Sequence, residues 1–98
     1  MISFPSAALD RNYADISKGD KVKVMVKAKP NVKVIVKVYD LSGEYIKNLE
    51  FTTTADGWNS VTWDGTNSAG NTVGRGMYFV YIKAEGSGEE VRKFYIVK

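Results

Sequence analysis

The sequence predicts an all-β, antiparallel sandwich, and three observations carry that expectation. Apolar and polar residues alternate at period two, turn-forming residues recur about every eight to twelve positions, and no segment shows a helical period. At 98 residues the chain is the length of one domain. Such a chain buries roughly two-thirds of its unfolded surface, enough for one modest core.

The plainest alternation runs from Lys21 to Lys29, where Val22, Val24, Val26 and Ala28 share one face and Lys21, Lys23, Met25, Lys27 and Lys29 the other. From Val32 to Tyr39 the same holds, with Val32, Val34, Val36 and Val38 opposed to Lys33, Ile35, Lys37 and Tyr39. Successive side chains in a strand point to opposite faces, so each segment offers a valine wall inward and a lysine-rich face outward. Pro30-Asn31 separates them as turn chemistry, because proline presets φ and asparagine tolerates a corner. The next connection is Asp40-Leu41-Ser42-Gly43-Glu44, with Gly43 placed for a positive φ. A third strand is expected over Tyr45 to Phe51; its apolar Ile46 and Leu49 have opposite parity, which predicts a bulge or twist.

Thr52 to Gly57 turns the chain into a strand over Trp58 to Asp64, with Val61 and Trp63 on one face. Gly65 to Gly76 is polar and reads as a loop. Strands over Met77 to Glu85 and Glu90 to Val97 close the chain around a Gly86-Ser87-Gly88 turn. The first twenty residues are the least patterned: Ile2, Phe4, Leu9 and Ile16 belong either to an edge strand or to a cover over one end of the core.

Composition excludes most catalysis. With no cysteine and no histidine there is no thiol nucleophile, no disulfide, no Cys/His zinc site and no Ser-His pair. Glu89 and Glu90 are adjacent and face apart in a strand, and Ser-x-x-Lys and phosphate-binding glycine motifs are missing. No apolar run approaches the ~20 residues of a membrane span, and residues 1–20 lack a signal-peptide layout. We therefore expect no enzyme, no cofactor, no membrane insertion and no nucleic-acid partner. The net charge of +3 is unevenly placed, since residues 18–37 hold seven lysines against one aspartate. That block suits a polyanion, but it also suits the wet face of two valine-walled strands, where charge prevents edge-to-edge pairing. It holds no arginine, and the second reading is preferred.

Val38-Tyr39-Asp40-Leu41-Ser42-Gly43, then Trp63-Asp64-Gly65, then Gly76-Met77-Tyr78-Phe79 resemble a known pattern. In this order and spacing they are similar to the immunoglobulin-like domain of the bacterial flagellar hook-capping protein, a domain also appended to secreted bacterial proteins. A C-terminal sorting domain of certain secreted bacterial proteins shares the first and last pieces and usually lacks Trp-Asp-Gly, so it ranks second. The resemblance covers about residues 21–98. It implies an immunoglobulin/fibronectin-III-like antiparallel β-sandwich of about seven strands, with residues 1–20 as an N-terminal edge strand or extension. Tyr39, Asp40, Gly43, Trp63, Asp64, Gly65, Gly76 and Tyr78 would be its structural signature, and Pro30-Asn31 would carry the chain from one sheet to the other.

Trp63 shares parity with Val61 and is expected in the core, whereas Trp58, five residues earlier, faces the other way. An exposed Trp58, with Tyr45, Tyr81 or Tyr95 beside it, would make an aromatic platform for a sugar or a protein. The plainer expectation is that Trp58 covers the rim of the core. Tyr78 fits a tyrosine corner. Asp64 to Asn71 looks like a calcium loop, but a twelve-residue EF-hand starting at Asp64 would need Gly at Ala69 and Glu at Arg75. Convergence of Asp56, Asn59 and Asp64 is the remaining route to a weak metal site, and we expect none.

The expected function is a non-catalytic structural or interaction module of an exported bacterial protein, extracellular or at the cell surface. Its partner would be a neighbouring domain or subunit of an extracellular assembly. Two alternatives stand beside it: a carbohydrate-binding module with a polysaccharide partner, and a subunit that self-assembles by adding its N-terminal segment as a strand to another copy. Were the chain an excised domain, its signal peptide would belong to a longer parent.

Overall fold

The computed structural model describes residues 7–86 and 88–97; Ile2, Phe4 and Ser87 lie outside them. Two sheets form a sandwich. The smaller holds β1 (Ala7–Leu9), β3 (Val22–Ala28) and β7 (Gly57–Trp63) in the order β1-β3-β7. The larger runs β2-β9-β8-β4-β5, with β2 at Tyr13–Asp15, β4 at Lys33–Asp40, β5 at Tyr45–Asn48, β8 at Gly76–Ala84 and β9 at Glu89–Val97. A short β6 (Phe51–Thr52) also pairs with β4. The fold is the immunoglobulin-like sandwich that the sequence predicts.

The valine walls meet as their parity requires. Val22, Val24 and Val26 of β3 and Val34, Val36 and Val38 of β4 are buried, and they face each other across the sheets with Trp63, Val80, Ile82, Phe94 and Ile96. Each fully buried aliphatic side chain contributes about 1.5–3 kcal/mol, so this interior is the main source of stability.

Pro30-Asn31 carries the chain between the sheets. Asn31 adopts φ 65°, the left-handed region that asparagine tolerates. The corner is fastened by Thr53, which is 1% exposed. Its hydroxyl donates to the Lys29 carbonyl at 2.6 Å and accepts the Val32 N–H at 2.9 Å, while backbone bonds join Asn31 N–H to Thr53 O and Thr53 N–H to Val32 O. Sequence reasoning missed this residue, because three consecutive threonines carry no parity.

Two expectations are corrected. The strand expected over Tyr45 to Phe51 is two pieces, β5 and β6. The register slips between Val38 and Tyr39, and the Leu49 N–H turns to the Val36 carbonyl at 2.7 Å. This is the irregularity that the opposite parities of Ile46 and Leu49 demanded. The sandwich is not wholly antiparallel, since β2 pairs with β9 in parallel, Tyr13 opposite Tyr95. The lysine block is split between the two sheets, in keeping with its preferred reading as the wet face of two valine-walled strands. Lys23 and Lys27 lie on β3 of the small sheet, while Lys33 and Lys37 lie on β4 of the large one.

Residues 7–20 are part of the sandwich. β1 pairs with β3, then the chain switches sheets and β2 pairs with β9. Asp10 ties the switch down: its N–H donates to the Lys23 carbonyl and its carboxylate accepts the Lys23 N–H at 2.8 Å. Ala14 is fully buried, and Ile16, in a 3-10 turn over Ile16–Lys18, packs over Gly65.

Replacing Thr53 by valine keeps the volume but removes both side-chain hydrogen bonds and leaves the Lys29 carbonyl and Val32 N–H unpaired. We expect Thr53→Val to lower stability by about 1–3 kcal/mol in urea unfolding. An unchanged midpoint would show that the corner holds without it.

Candidate functional site

Of the residues expected as a structural signature, Asp40, Gly43, Asp64 and Gly65 fasten turns. Asp40 ends β4, and its Oδ1 accepts from Ser42 N–H, Ser42 hydroxyl and Glu44 N–H at 3.0, 2.8 and 2.9 Å. The Ser42 hydroxyl, then the backbone N–H groups, hold its carboxyl below the ordinary aspartate value. Gly43 turns the hairpin at φ 90°. Asp64 does the same after β7, accepting from the Thr66 hydroxyl at 2.7 Å and Thr66 N–H at 3.2 Å, and its carboxyl is lowered chiefly by that hydroxyl. Gly65 follows at φ 83°, and a Cβ there would stand 2.6 Å from Ile16 Cδ1, so the position needs glycine for two reasons.

Trp63 fills the space between the sheets at 1% exposure. Its ring is edge-on to Phe94 at 5.3 Å and tilted against Tyr78 at 5.9 Å, and its Nε1–H donates to the Thr66 carbonyl at 2.8 Å. The Tyr78 hydroxyl donates to the Gly74 carbonyl, four residues upstream, at 2.8 Å. Burial raises the pKa of that phenol, with the Asp40 charge adding to it. This is tyrosine-corner geometry, and one such bond contributes about 1 kcal/mol.

The polar loop holds itself. Asn67 Oδ1 accepts from Ala69 and Asn71 N–H, both at 3.0 Å. Asn59 lies elsewhere, its side chain bonded to Thr54, Ala55 and Gly57. Asp56 and Asp64 flank opposite ends of β7, whose seven residues alone span about 20 Å, so the three do not converge. Among the described residues no cluster of three metal-binding side chains occurs.

Glu89 and Glu90 face apart. Glu89 is exposed, whereas Glu90 points inward and forms an ion pair with Arg92, whose guanidinium also donates to the Ala7 carbonyl at 3.3 Å. The pair thus links β9 to β1 across the sandwich.

The aromatic platform is where the structure departs most from expectation. Trp58, 52% exposed, lies on the outer face of the small sheet opposite Lys27. Tyr45, Tyr81 and Tyr95 lie on β5, β8 and β9 of the large sheet. The sandwich therefore separates Trp58 from the tyrosines, and no single surface joins them. Instead the large sheet's outer face carries its own aromatics. Cross-strand registers place Tyr13 beside Tyr95 and Tyr95 beside Met77, and in the next row Lys93, Phe79, Tyr39 and Tyr45. Tyr39 and Tyr45 meet edge to face at 6.1 Å. Parity could have shown this face, since Met77, Phe79 and Tyr81 alternate with the buried Tyr78, Val80 and Ile82.

With this geometry in place, the comparisons can be read. The model of the FlgD Ig-like domain matches residues 11–88. The chain belongs to that family. No curated protein sequence matches it. Among solved structures, PorU from Porphyromonas gingivalis matches 93% of this chain and 9% of its own, with 19% identity and a TM-score of 0.72. PorZ from the same organism matches 94% of this chain and 11% of its own, with 22% identity and a TM-score of 0.69. FlgD from Xanthomonas campestris matches 93% of this chain and 63% of its own, with 22% identity and a TM-score of 0.63. At these identities the likeness is one of fold, and this chain spans only part of each relative.

The Asp40 and Asp64 hydrogen bonds predict acid sensitivity of known sign. A carboxyl whose folded pKa lies below its unfolded value adds stability that is present above the unfolded value, near 4, and is lost as pH falls through the folded one. Urea midpoints should therefore drop below about pH 4, and less steeply in an Asp40→Asn/Asp64→Asn variant. Identical slopes would contradict the role given to these carboxylates.

Proposed function

We propose that this chain is a non-catalytic accessory module of an exported bacterial protein, a rigid sandwich that presents its faces and loops to a neighbouring domain or subunit. The family match over residues 11–88 carries this reading. Two features support it. The signature side chains Asp40, Asp64, Trp63 and Tyr78 are committed to turns and core, so none is poised toward a substrate. Related sandwiches occupy small fractions of PorU and of PorZ, the latter described as a bacterial surface component of the type-IX secretion system. Among the described residues no helix is long and apolar enough to cross a membrane.

The self-assembly alternative finds less support, because residues 7–20 already pair with β3 and β9 of their own copy. A role in hook capping, the activity named for the Xanthomonas FlgD, rests on family membership alone.

Antibodies against the chain test the export reading. The antigen should appear in the medium or be removed from intact cells by external protease. Recovery from the cytoplasm alone would overturn it.

A further inference from the structure

The two outer faces of this sandwich differ in kind. On the small sheet, the outward positions Lys23, Lys27, Ser60 and Thr62 surround Met25 and one exposed aromatic, Trp58, a mostly polar face of the kind expected of a solvated antiparallel sheet. On the large sheet, β8 reads Gly-Met-Tyr-Phe-Val-Tyr-Ile, a continuous apolar run of the kind found in strands covered on both faces. Of the six exposed large hydrophobic residues among those described, four lie on this face: Tyr13, Tyr45, Val91 and Tyr95. The aromatics form a band from β2 to β5. Two lysines stand within it: Lys93 directly beside Phe79, and Lys37 directly beside Tyr81. Neither forms a salt bridge among the described residues, whereas Lys33 at the margin pairs with Glu50.

We propose that this face binds an acidic polysaccharide, a uronic-acid polymer lying across the strands, with tyrosine rings against the apolar faces of the sugars and Lys37 and Lys93 against their carboxylates. Three physical points select this occupant. The band crosses four inter-strand gaps, about 19 Å, and extends about 14 Å along β8 from Met77 to Tyr81. In projection between backbone positions that is roughly 270 Å², a narrow patch beside the ~800 Å² of accessible surface each partner buries in a stable protein interface. Second, a protein partner would have to dehydrate two ammonium groups inside the patch, and interface centres are depleted in lysine for that reason. A narrow polymer leaves them wet on one side. Third, two copies packed through this face would bring unpaired lysines toward each other. An open depression on the band, lined by Asn12, Tyr13, Met77, Lys93 and Tyr95 among others, suits a chain making many small contacts better than a small molecule.

The inference stands apart from the accessory-module reading and from Trp58, which lies on the opposite sheet. Polygalacturonate and alginate are the probes, with cellulose oligosaccharides and polyphosphate as comparators, in affinity electrophoresis and calorimetry at low salt. Both uronans should bind, polyphosphate and cellulose oligosaccharides more weakly. Tyr95→Ser and Tyr13→Ser, both at exposed positions, should each weaken uronan binding by up to about tenfold. Lys37→Gln/Lys93→Gln should abolish the preference for uronans over cellulose, and Trp58→Ala should change nothing. Circular dichroism establishes that each variant is folded. No uronan binding by the wild type, or binding that the tyrosine variants leave intact, would overturn the proposal, as would loss of binding in Trp58→Ala.

Discussion

Trp63 lies between the two sheets, and its indole joins packing to loop geometry in one side chain. The ring abuts Phe94 and Tyr78 of the large sheet, while Nε1–H reaches the Thr66 carbonyl in the loop that Asp64 and Gly65 begin. Tyr78 in turn holds the far end of that loop through the Gly74 carbonyl. The loop over residues 64–75 is thus clamped at both ends by aromatics that also fill the core. Truncating the tryptophan would remove the contact between sheets and the anchor of the loop together, and large-to-small changes of this kind cost about 3–5 kcal/mol. Against a typical total of about 5–15 kcal/mol, that is a large share.

The opposite end is closed by different means. The aromatic beside the Pro30-Asn31 corner, Phe51 of β6, is only partly buried, and the fastening there is polar. Thr53 supplies two hydrogen bonds there, and Arg92 with Glu90 joins β9 to β1 nearby. One end is held by apolar bulk and the other by directed polar contacts. Polar contacts at the corner fit its chemistry, because a chain leaving one sheet for the other exposes backbone groups that no ladder can satisfy.

Much of this was legible in the sequence, for a definite reason. Period-two alternation reports which side chains face inward, so the valines of β3 and β4 and the inward Trp63 could be read before any fold was known. Asp40-x-x-Gly43 and Asp64-Gly65 likewise advertise turns, because Asx side chains and positive-φ glycine have few other uses. What resisted reading was non-local. Parity cannot say which strands share a sheet, so Trp58 and the tyrosines could not be assigned to opposite faces. Thr53 resisted because its partners, Lys29 and Val32, lie more than twenty residues away. The parallel pairing of β2 was hidden because three residues, Tyr13 to Asp15, are too few to show a pattern.

Both sheets, with residues 7–20 included, form one cooperative unit closed around Trp63. Native-state amide hydrogen exchange in rising urea tests it most directly. Protected amides of β1, β3 and β7 should converge with those of β4, β8 and β9 on a single free energy equal to that of global unfolding. Exchange of β1 or β7 through a lower-energy opening, with the large sheet still protected, would contradict it.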